Sequence, residues 1–341
     1  MNGLVPMFLL ANCTFDRTTT AGTLAFGATA FFASLVTLFL LNRAMSKLWL
    51  HFLAMAAGVF LFELFTAPMW VNQKLGRWSY VYTDVSWILT LGWTTLFLAT
   101  VHLVDRYLPK WGARKRFAAY IGVLLVPVII AEIITVQIGI RKYAPEVLMS
   151  VSGYNVAGVP IEILYYIPVF TSLVLAFYKY WSLVIDRAAL IPVRKRKWVR
   201  AIGIAFLAVF LFEVLVEPVV INEGFPSWSY IYHDVTLVIT GTRVLLIAVG
   251  GVLLGRFCLH WSVPQRFFLA VMTISALALP IEAWWVSRGY RAFAHAAETN
   301  FSGYETIMTG VPVEIAFAIP CYLSLIVAFI RYWEVVMDNE L

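Results

Sequence analysis

The sequence predicts an all-α, polytopic integral membrane bundle of about nine spans, organised as tandem parallel four-helix repeats. Three observations carry that prediction. Hydrophobic residues make up 62% of the chain and charged residues 13%, with a mean hydropathy of +0.83, outside the range of soluble globular domains. The apolar residues fall into runs of about 20, enough for a helix to cross roughly 30 Å of hydrocarbon. The stretch from Leu61 to Ser86 recurs from Leu211 to Thr236, which marks an internal duplication.

Before the first span, residues 1–20 lack the basic start, apolar core and small-residue site of a cleaved signal peptide. Met1 to Leu10 reads as a short interfacial segment. Spans are expected at about 22–42, 49–70, 85–105, 117–139, 159–181, 200–221, 235–255, 266–287 and 310–331. The basic residues orient them. Loops after odd-numbered spans carry Arg43 and Lys47, then Arg106, Lys110, Arg114, Lys115 and Arg116. The third such loop holds Arg187, Arg194, Lys195, Arg196, Lys197 and Arg200, and the fourth Arg256 and Arg266. Loops after even-numbered spans are poorer, which predicts an outside amino terminus and a cytoplasmic carboxyl terminus in a cell (inner) membrane.

The net charge of +6 therefore reads as a topology signal and no nucleic-acid partner is expected. The organisation follows: an N-terminal segment with the first span over 1–45, a first four-helix repeat over 46–185, a basic linker over 186–199 and a second repeat over 200–341. An even number of spans per repeat gives both halves one orientation.

The duplicated positions are polar as well as apolar. Glu63 matches Glu213, an offset of 150, and at the same offset Asn72 matches Asn222 and Asp84 matches Asp234. Trp78 and Tyr80 match Trp228 and Tyr230, Glu132 matches Glu282, and Gly153-Tyr154 matches Gly303-Tyr304. After a two-residue slip, Gly158-Val-Pro-Ile-Glu162 matches Gly310-Val-Pro-Val-Glu314. Each half thus reads as two helical hairpins, with an acid near the outer end of one span and a second acid opening the next. Carboxylates at membrane depth cost several kcal/mol, so acids in spans face a bundle interior. Glu63, Glu132, Glu213, Glu282, Glu162 and Glu314 are expected to converge on one chamber in the outer half of the bilayer. Arg243, standing where the first half has Trp93, is expected to pair with Glu213, Asp234 or another of these acids. Taken singly, each acid could equally cap a helix or fix a helix contact. The aromatic residues likewise fit an interfacial belt.

Other chemistries have no support in the sequence. The five histidines show no spacing suited to haem or a metal cage, the three cysteines are scattered, and no phosphate-binding glycine loop is present. Lys179, the best-placed lysine for a Schiff base, lies near the cytoplasmic end of its span. No metal or cofactor is expected.

The second hairpin of each half resembles the membrane lycopene cyclases of bacteria, archaea and fungi, whose best-known form is heterodimeric. Glu282-Ala-Trp-Trp, an aromatic loop, and Gly310-Val-Pro-Val-Glu314 running to Pro320 carry the resemblance, and Gly158 to Pro168 carries it again. It covers roughly 127–181 and 280–333. Ile163 and Ile315 stand where that family's motif has a second acid. The resemblance implies an isoprenoid or carotenoid-type cyclase or isomerase that protonates a polyene and closes a ring on the carbocation. Glu162 and Glu314 would be the candidate acids, with Glu132, Glu282, Glu63 and Glu213 relaying protons. Trp78, Trp228, Trp284 and Trp285 could stabilise the cation. Tyr80, Tyr230, Asp84, Asp234 and Arg243 complete the expected substrate-binding set. The expected partner is a membrane lipid or isoprenoid substrate. Two further readings stay open: a non-catalytic membrane subunit or lipid-binding partner of a larger assembly of membrane proteins, and a transporter built on parallel repeats.

Overall fold

The structure, a computed structural model, describes residues 16–149, 154–187, 198–258, 260–298, 305–308 and 310–338. Among them nine long helices run in chain order. The first five are α1 Ala21–Asn42, α2 Leu48–Thr66, α3 Trp87–Tyr107, α4 Ala113–Gln137 and α5 Ile161–Ile185. The last four are α6 Trp198–Val216, α7 Leu237–Phe257, α8 Val263–Ser287 and α9 Val313–Asp338. Eight of them are long and apolar enough to cross a membrane, and α7 is apolar over Leu237–Gly251. The chain is a multi-pass, all-α membrane protein. The interfacial reading of Met1–Leu10, the match of Gly153 with Gly303 and Tyr304, and most of the basic linker lie outside the described residues.

The expected spans differ from these helices mainly at the loop ends. The second was expected to reach residue 70, but α2 stops at Thr66. Pro68, two residues on, has no amide to extend the helix, and the chain turns into a short strand, Trp70–Asn72. Its counterpart Pro218 lies in a 3-10 turn, Glu217–Val219, beyond α6.

Apart from that 3-10 turn, the two halves share one order of helices and strands. Helices α2, α3 and α4 begin at 48, 87 and 113, while α6, α7 and α8 begin at 198, 237 and 263, each 150 residues later. Strand Trp70–Asn72 pairs antiparallel with Arg141–Tyr143, and Val220–Asn222 pairs the same way with Arg291–Phe293. These cross-pairs tie the two hairpins of each half together. Each hairpin also closes on its own pair of short strands, and the turns share a left-handed residue at Thr83, Ala157, His233 and Met308. In the tightest turn, Ala157 and Gly158 both have positive φ, as a two-residue hairpin of primed type requires. The two-residue slip is now placed. Strand Asn155–Val156 matches Thr306–Ile307 at an offset of 151, and Val159–Pro160 matches Val311–Pro312 at 152. One residue enters before the strand and one enters its turn.

Helices α5 and α9 pack against each other at the centre, and α2 packs on α3, α5 and α9. Helix α6 packs on α7 and α9, while α1 lies outside, against α3. Gly58 lets α2 approach α5 closely, since a Cβ there would meet the Phe177 ring at 2.9 Å. Both sets of short strands lie at one end of the bundle. The short helix Pro145–Met149 of the first half touches Glu217–Val219 of the second, and the Glu314 carboxylate acts on Tyr82 across the halves. The repeats are therefore parallel. The opposite end is held by Lys47, which donates to the Ile185 carbonyl at 2.6 Å, and by Asp105, which accepts from Tyr120, Arg116 and Lys179.

Candidate functional site

Each half places its two buried glutamates between the hairpins, near the strand-bearing end. In the first half Glu63 comes from the last turn of α2 and Glu132 from the last turns of α4. Thr90, one turn into α3, donates to Glu63 Oε2 at 2.5 Å and to the Ser86 carbonyl at 3.1 Å. The cross-strand then brings Tyr143 and Arg141 over Glu132. Tyr143 Oη donates to Glu132 Oε1 at 2.6 Å, and Arg141 Nη1 lies 3.6 Å from the same oxygen. Burial first, and the Glu132 charge second, push the Tyr143 hydroxyl far above its ordinary value, so it stays a donor.

The second half repeats the scaffold with different chemistry. Thr240 donates to Glu213 Oε2 and to the Thr236 carbonyl, as Thr90 does in the first half. Arg243 Nη1 donates to Glu213 Oε1 at 3.1 Å and its Nη2 lies 3.6 Å from Glu282 Oε2, the kind of contact the sequence led us to expect. Arg291 donates from Nη1 to Glu282 Oε1 at 2.5 Å and from Nε to Asn222 Oδ1 at 3.0 Å. Phe293 stands where the first half has Tyr143, so Glu282 has no matching hydroxyl and relies on the two guanidiniums. All four glutamates are buried, none more than 9% exposed. Leaving any of them unpaired inside a membrane bundle would be costly.

Between the two clusters runs an unbroken line of rings. Phe62 meets Phe170 at 4.2 Å and Phe65 at 5.0 Å, Phe65 meets Phe212 at 5.6 Å, and Phe212 stacks on Tyr322 at 4.0 Å. The Arg243 guanidinium carbon lies 5.5 Å from the Phe212 ring centre and 5.7 Å from that of Tyr322. Phe62 and Phe170 are the first-half counterparts of Phe212 and Tyr322, and Trp93 completes the set 6.0 Å from Phe170.

The six glutamates consequently do not share one chamber, as the sequence reading had them. A cavity of about 50 Å³ opens in the first half alongside Glu63, Glu132 and Arg141. Phe62, Trp70, Trp93, Tyr166 and Phe170 form the aromatic part of its wall, and Val128, Ile163, Ile167 and, from the second half, Leu215 the aliphatic part. At roughly 10–15 Å³ for one water, it accommodates about four non-hydrogen atoms. The matching region of the second half, beside Glu213, Arg243 and Arg291, holds only about 10 Å³. Polar satisfaction follows the same division. Glu63 Oε1, Arg141 Nε and Asn72 Oδ1 are buried without a hydrogen-bond partner, whereas Glu213 Oε1, Arg291 Nε and Asn222 Oδ1 all have one.

Glu162 and Glu314 sit apart from the cavity. They open α5 and α9 at the contact between the halves, where Glu162 acts on Tyr232 and Glu314 on Tyr82. The cause is helix face: Ile163, Tyr166, Ile167 and Phe170 line the cavity at helical spacing, and Glu162, one residue before Ile163, falls on another face of α5. Trp78, Trp228 and Trp284 are 60%, 72% and 51% exposed and line neither of these two cavities. Trp285 is buried, 5.5 Å beneath the Arg291 guanidinium. Tyr80 and Tyr230 are loop struts whose hydroxyls accept from Leu75 N at 3.2 Å and Phe225 N at 3.4 Å. Asp84 accepts from Asn72 N at 3.1 Å and its carbonyl from Asn72 Nδ2, and burial pushes its carboxyl up to about 6. Asp234 is likewise raised by burial, and its carbonyl accepts from Asn222 Nδ2.

Sequence reasoning missed Arg141 and Arg291, Thr90 and Thr240, and the five aromatic wall residues as a set. The arginines read as loop residues, but both follow Glu132 or Glu282 by nine positions and match at the offset of 150. That match was the signal that could have found them. Comparison with protein families, curated proteins and solved structures returns no match for this chain.

Proposed function

We propose that the chain is a membrane-embedded isomerase or cyclase that acts by acid initiation on the branched end of an isoprenoid-type lipid, at the first-half cavity. The observation that supports this reading is a buried pair of carboxyl groups, Glu63 and Glu132, facing a small cavity with five aromatic side chains in its wall. Its volume suits the four carbons of a 2-methylpropenyl end, (CH3)2C=CH–. Glu63 in its protonated form gives a proton to the CH carbon of the terminal double bond, leaving a tertiary carbocation. The ring faces of Phe62, Phe170 and Trp93 stabilise that charge. An internal double bond closes on the cation, and the new cation loses a proton to Glu132, which Tyr143 and Arg141 hold in place. A proton passing from Glu132 to Glu63 restores the starting state. The product is an isomer of the substrate and the sequence is redox-neutral.

The resemblance of Gly158–Pro168 and Gly310–Pro320 to membrane lycopene cyclases points to the same chemistry, with the acid roles moved from Glu162 and Glu314 to Glu63 and Glu132. On the distribution of loop charges, the strand-bearing end faces outside and the carboxyl terminus the cytoplasm of a cell membrane. The test is co-expression with a supply of linear isoprenoid polyenes and analysis of extracted pigments and lipids. A new product of unchanged mass, absent with Glu63→Gln, supports the reading. Identical extracts from the parent and from cells without the protein contradict it.

A further inference from the structure

The duplication supplies its own occupied reference for the first-half cavity. Arg243 reaches into the second half from the position that Trp93 holds in the first. There its guanidinium is bounded by Glu213 Oε1 and Glu282 Oε2 and lies against Phe212 and Tyr322. The counterparts of those groups in the first half are Glu63, Glu132, Phe62 and Phe170, and all four border the cavity. The counterpart of Glu213 Oε1 is the unpartnered Glu63 Oε1, on a side chain at most 9% exposed. Charge agrees with shape. With all carboxyls ionised, two guanidiniums balance two carboxylates in the second cluster, whereas the first has two carboxylates and Arg141 alone. Once Glu63 gives up its proton, the first half lacks the positive charge that the second half carries there as a planar cation.

We infer that the first-half cavity is a receptor for the planar cationic head of an organic molecule, of alkylguanidinium type, seated as the second half seats Arg243. The head would donate to Glu63 Oε1 and approach Glu132 with its other edge, while its faces rest on Phe62 and Phe170. A volume suited to about four non-hydrogen atoms matches a guanidinium group. Trp93, with no charge to offer, forms part of the wall. This inference stands without the acid chemistry proposed above. A guanidinium also has the planar, three-substituent shape of a tertiary carbocation, so the two readings are compatible.

The experiment measures thermal unfolding of the purified full chain in detergent against butylguanidinium, butylammonium and butanol. The expected result is a saturable rise in Tm with butylguanidinium, weaker with butylammonium and absent with butanol. Trp93→Arg should place a guanidinium in the cavity, as the second half tolerates beside Arg291, and remove the response. Glu63→Gln, which keeps the side-chain shape, should weaken the response at least tenfold in apparent Kd and serves if the arginine variant does not fold. No saturable response in the parent protein, or one that Glu63→Gln leaves unchanged, overturns the inference. An equal response to butylammonium overturns the requirement for a planar head. Because the assay reads binding alone, a chain that binds butylguanidinium but converts no polyene contradicts only the proposed reaction.

Discussion

Arg291 donates from Nε to Asn222 Oδ1 at 3.0 Å, and the matching pair in the first half, Arg141 Nε and Asn72 Oδ1, is unbonded although both atoms are buried. The strands that carry these residues keep the same register in both halves, Arg291 opposite Asn222 and Arg141 opposite Asn72. The backbone is thus conserved while the side-chain network is closed in one half and open in the other. A duplicated scaffold of this kind lets one copy secure the bundle and leaves the other free to bind.

The closed network should therefore carry more stability than the open one. Arg291→Met removes the closest partner of Glu282 and should destabilise the protein by about 3–5 kcal/mol, the usual penalty for leaving a buried charge uncompensated. Arg141→Met should cost less, because Tyr143 still donates to Glu132. Equal losses in thermal unfolding would contradict the asymmetry.

Arg243→Met should be similarly damaging, since Arg243 serves Glu213 and Glu282 together. Adding Glu213→Gln should recover part of the loss by removing one orphaned charge. Full stability of the single variant would mean that the second cluster holds nothing together.

The strand-bearing end should respond to pH through Asp84. Burial raises its carboxyl from an ordinary value near 3.8 to about 6, so the folded state holds this proton more tightly than the unfolded chain. Stability should then fall as pH rises between about 4 and 6, by on the order of 2–3 kcal/mol from this group. Asp84→Asn should flatten that slope, measured by unfolding at several pH values. A slope unchanged in the variant would assign the effect to another group.

For the reaction itself, the cavity acids should matter and the inter-repeat acids should not. Glu132→Gln should abolish product formation, and Thr90→Val should lower it about tenfold by loosening Glu63, with the effect on kcat rather than KM. Glu162→Gln and Glu314→Gln should keep most of the activity in well-folded protein. The opposite pattern would return the chemistry to the start of α5 and α9.

The sequence made the helical scaffold legible because the apolar runs and the offset of 150 are one-dimensional signals. Glu63, Glu132, Glu213, Glu282 and Arg243 could be singled out on the same ground, since a charge inside an apolar run is conspicuous. What it could not show was which face of each helix these groups share. Glu162 resembled Glu132 in the pattern, but the face of α5 that lines the cavity carries Ile163, Tyr166, Ile167 and Phe170 and leaves Glu162 off it. The wall residues Phe62, Trp70, Trp93, Tyr166 and Phe170 were hidden by their own abundance, since aromatic residues make up 16% of the chain. Trp78 and Trp228 stood out because they repeat, and the structure places both away from the first-half cavity.

The account is tested most directly by following the proton. A linear isoprenoid polyene is presented to an excess of purified protein already equilibrated in deuterated water, so that each site turns over once with the deuterium Glu63 carries, and the product is analysed by mass spectrometry and NMR. The acid-initiated reading predicts an isomeric product carrying one deuterium on the former CH carbon of the terminal double bond, formed by Glu213→Gln protein provided that it folds and not by Glu63→Gln. Product without deuterium, or labelled product formed equally well by Glu63→Gln, would contradict initiation at the first-half cavity.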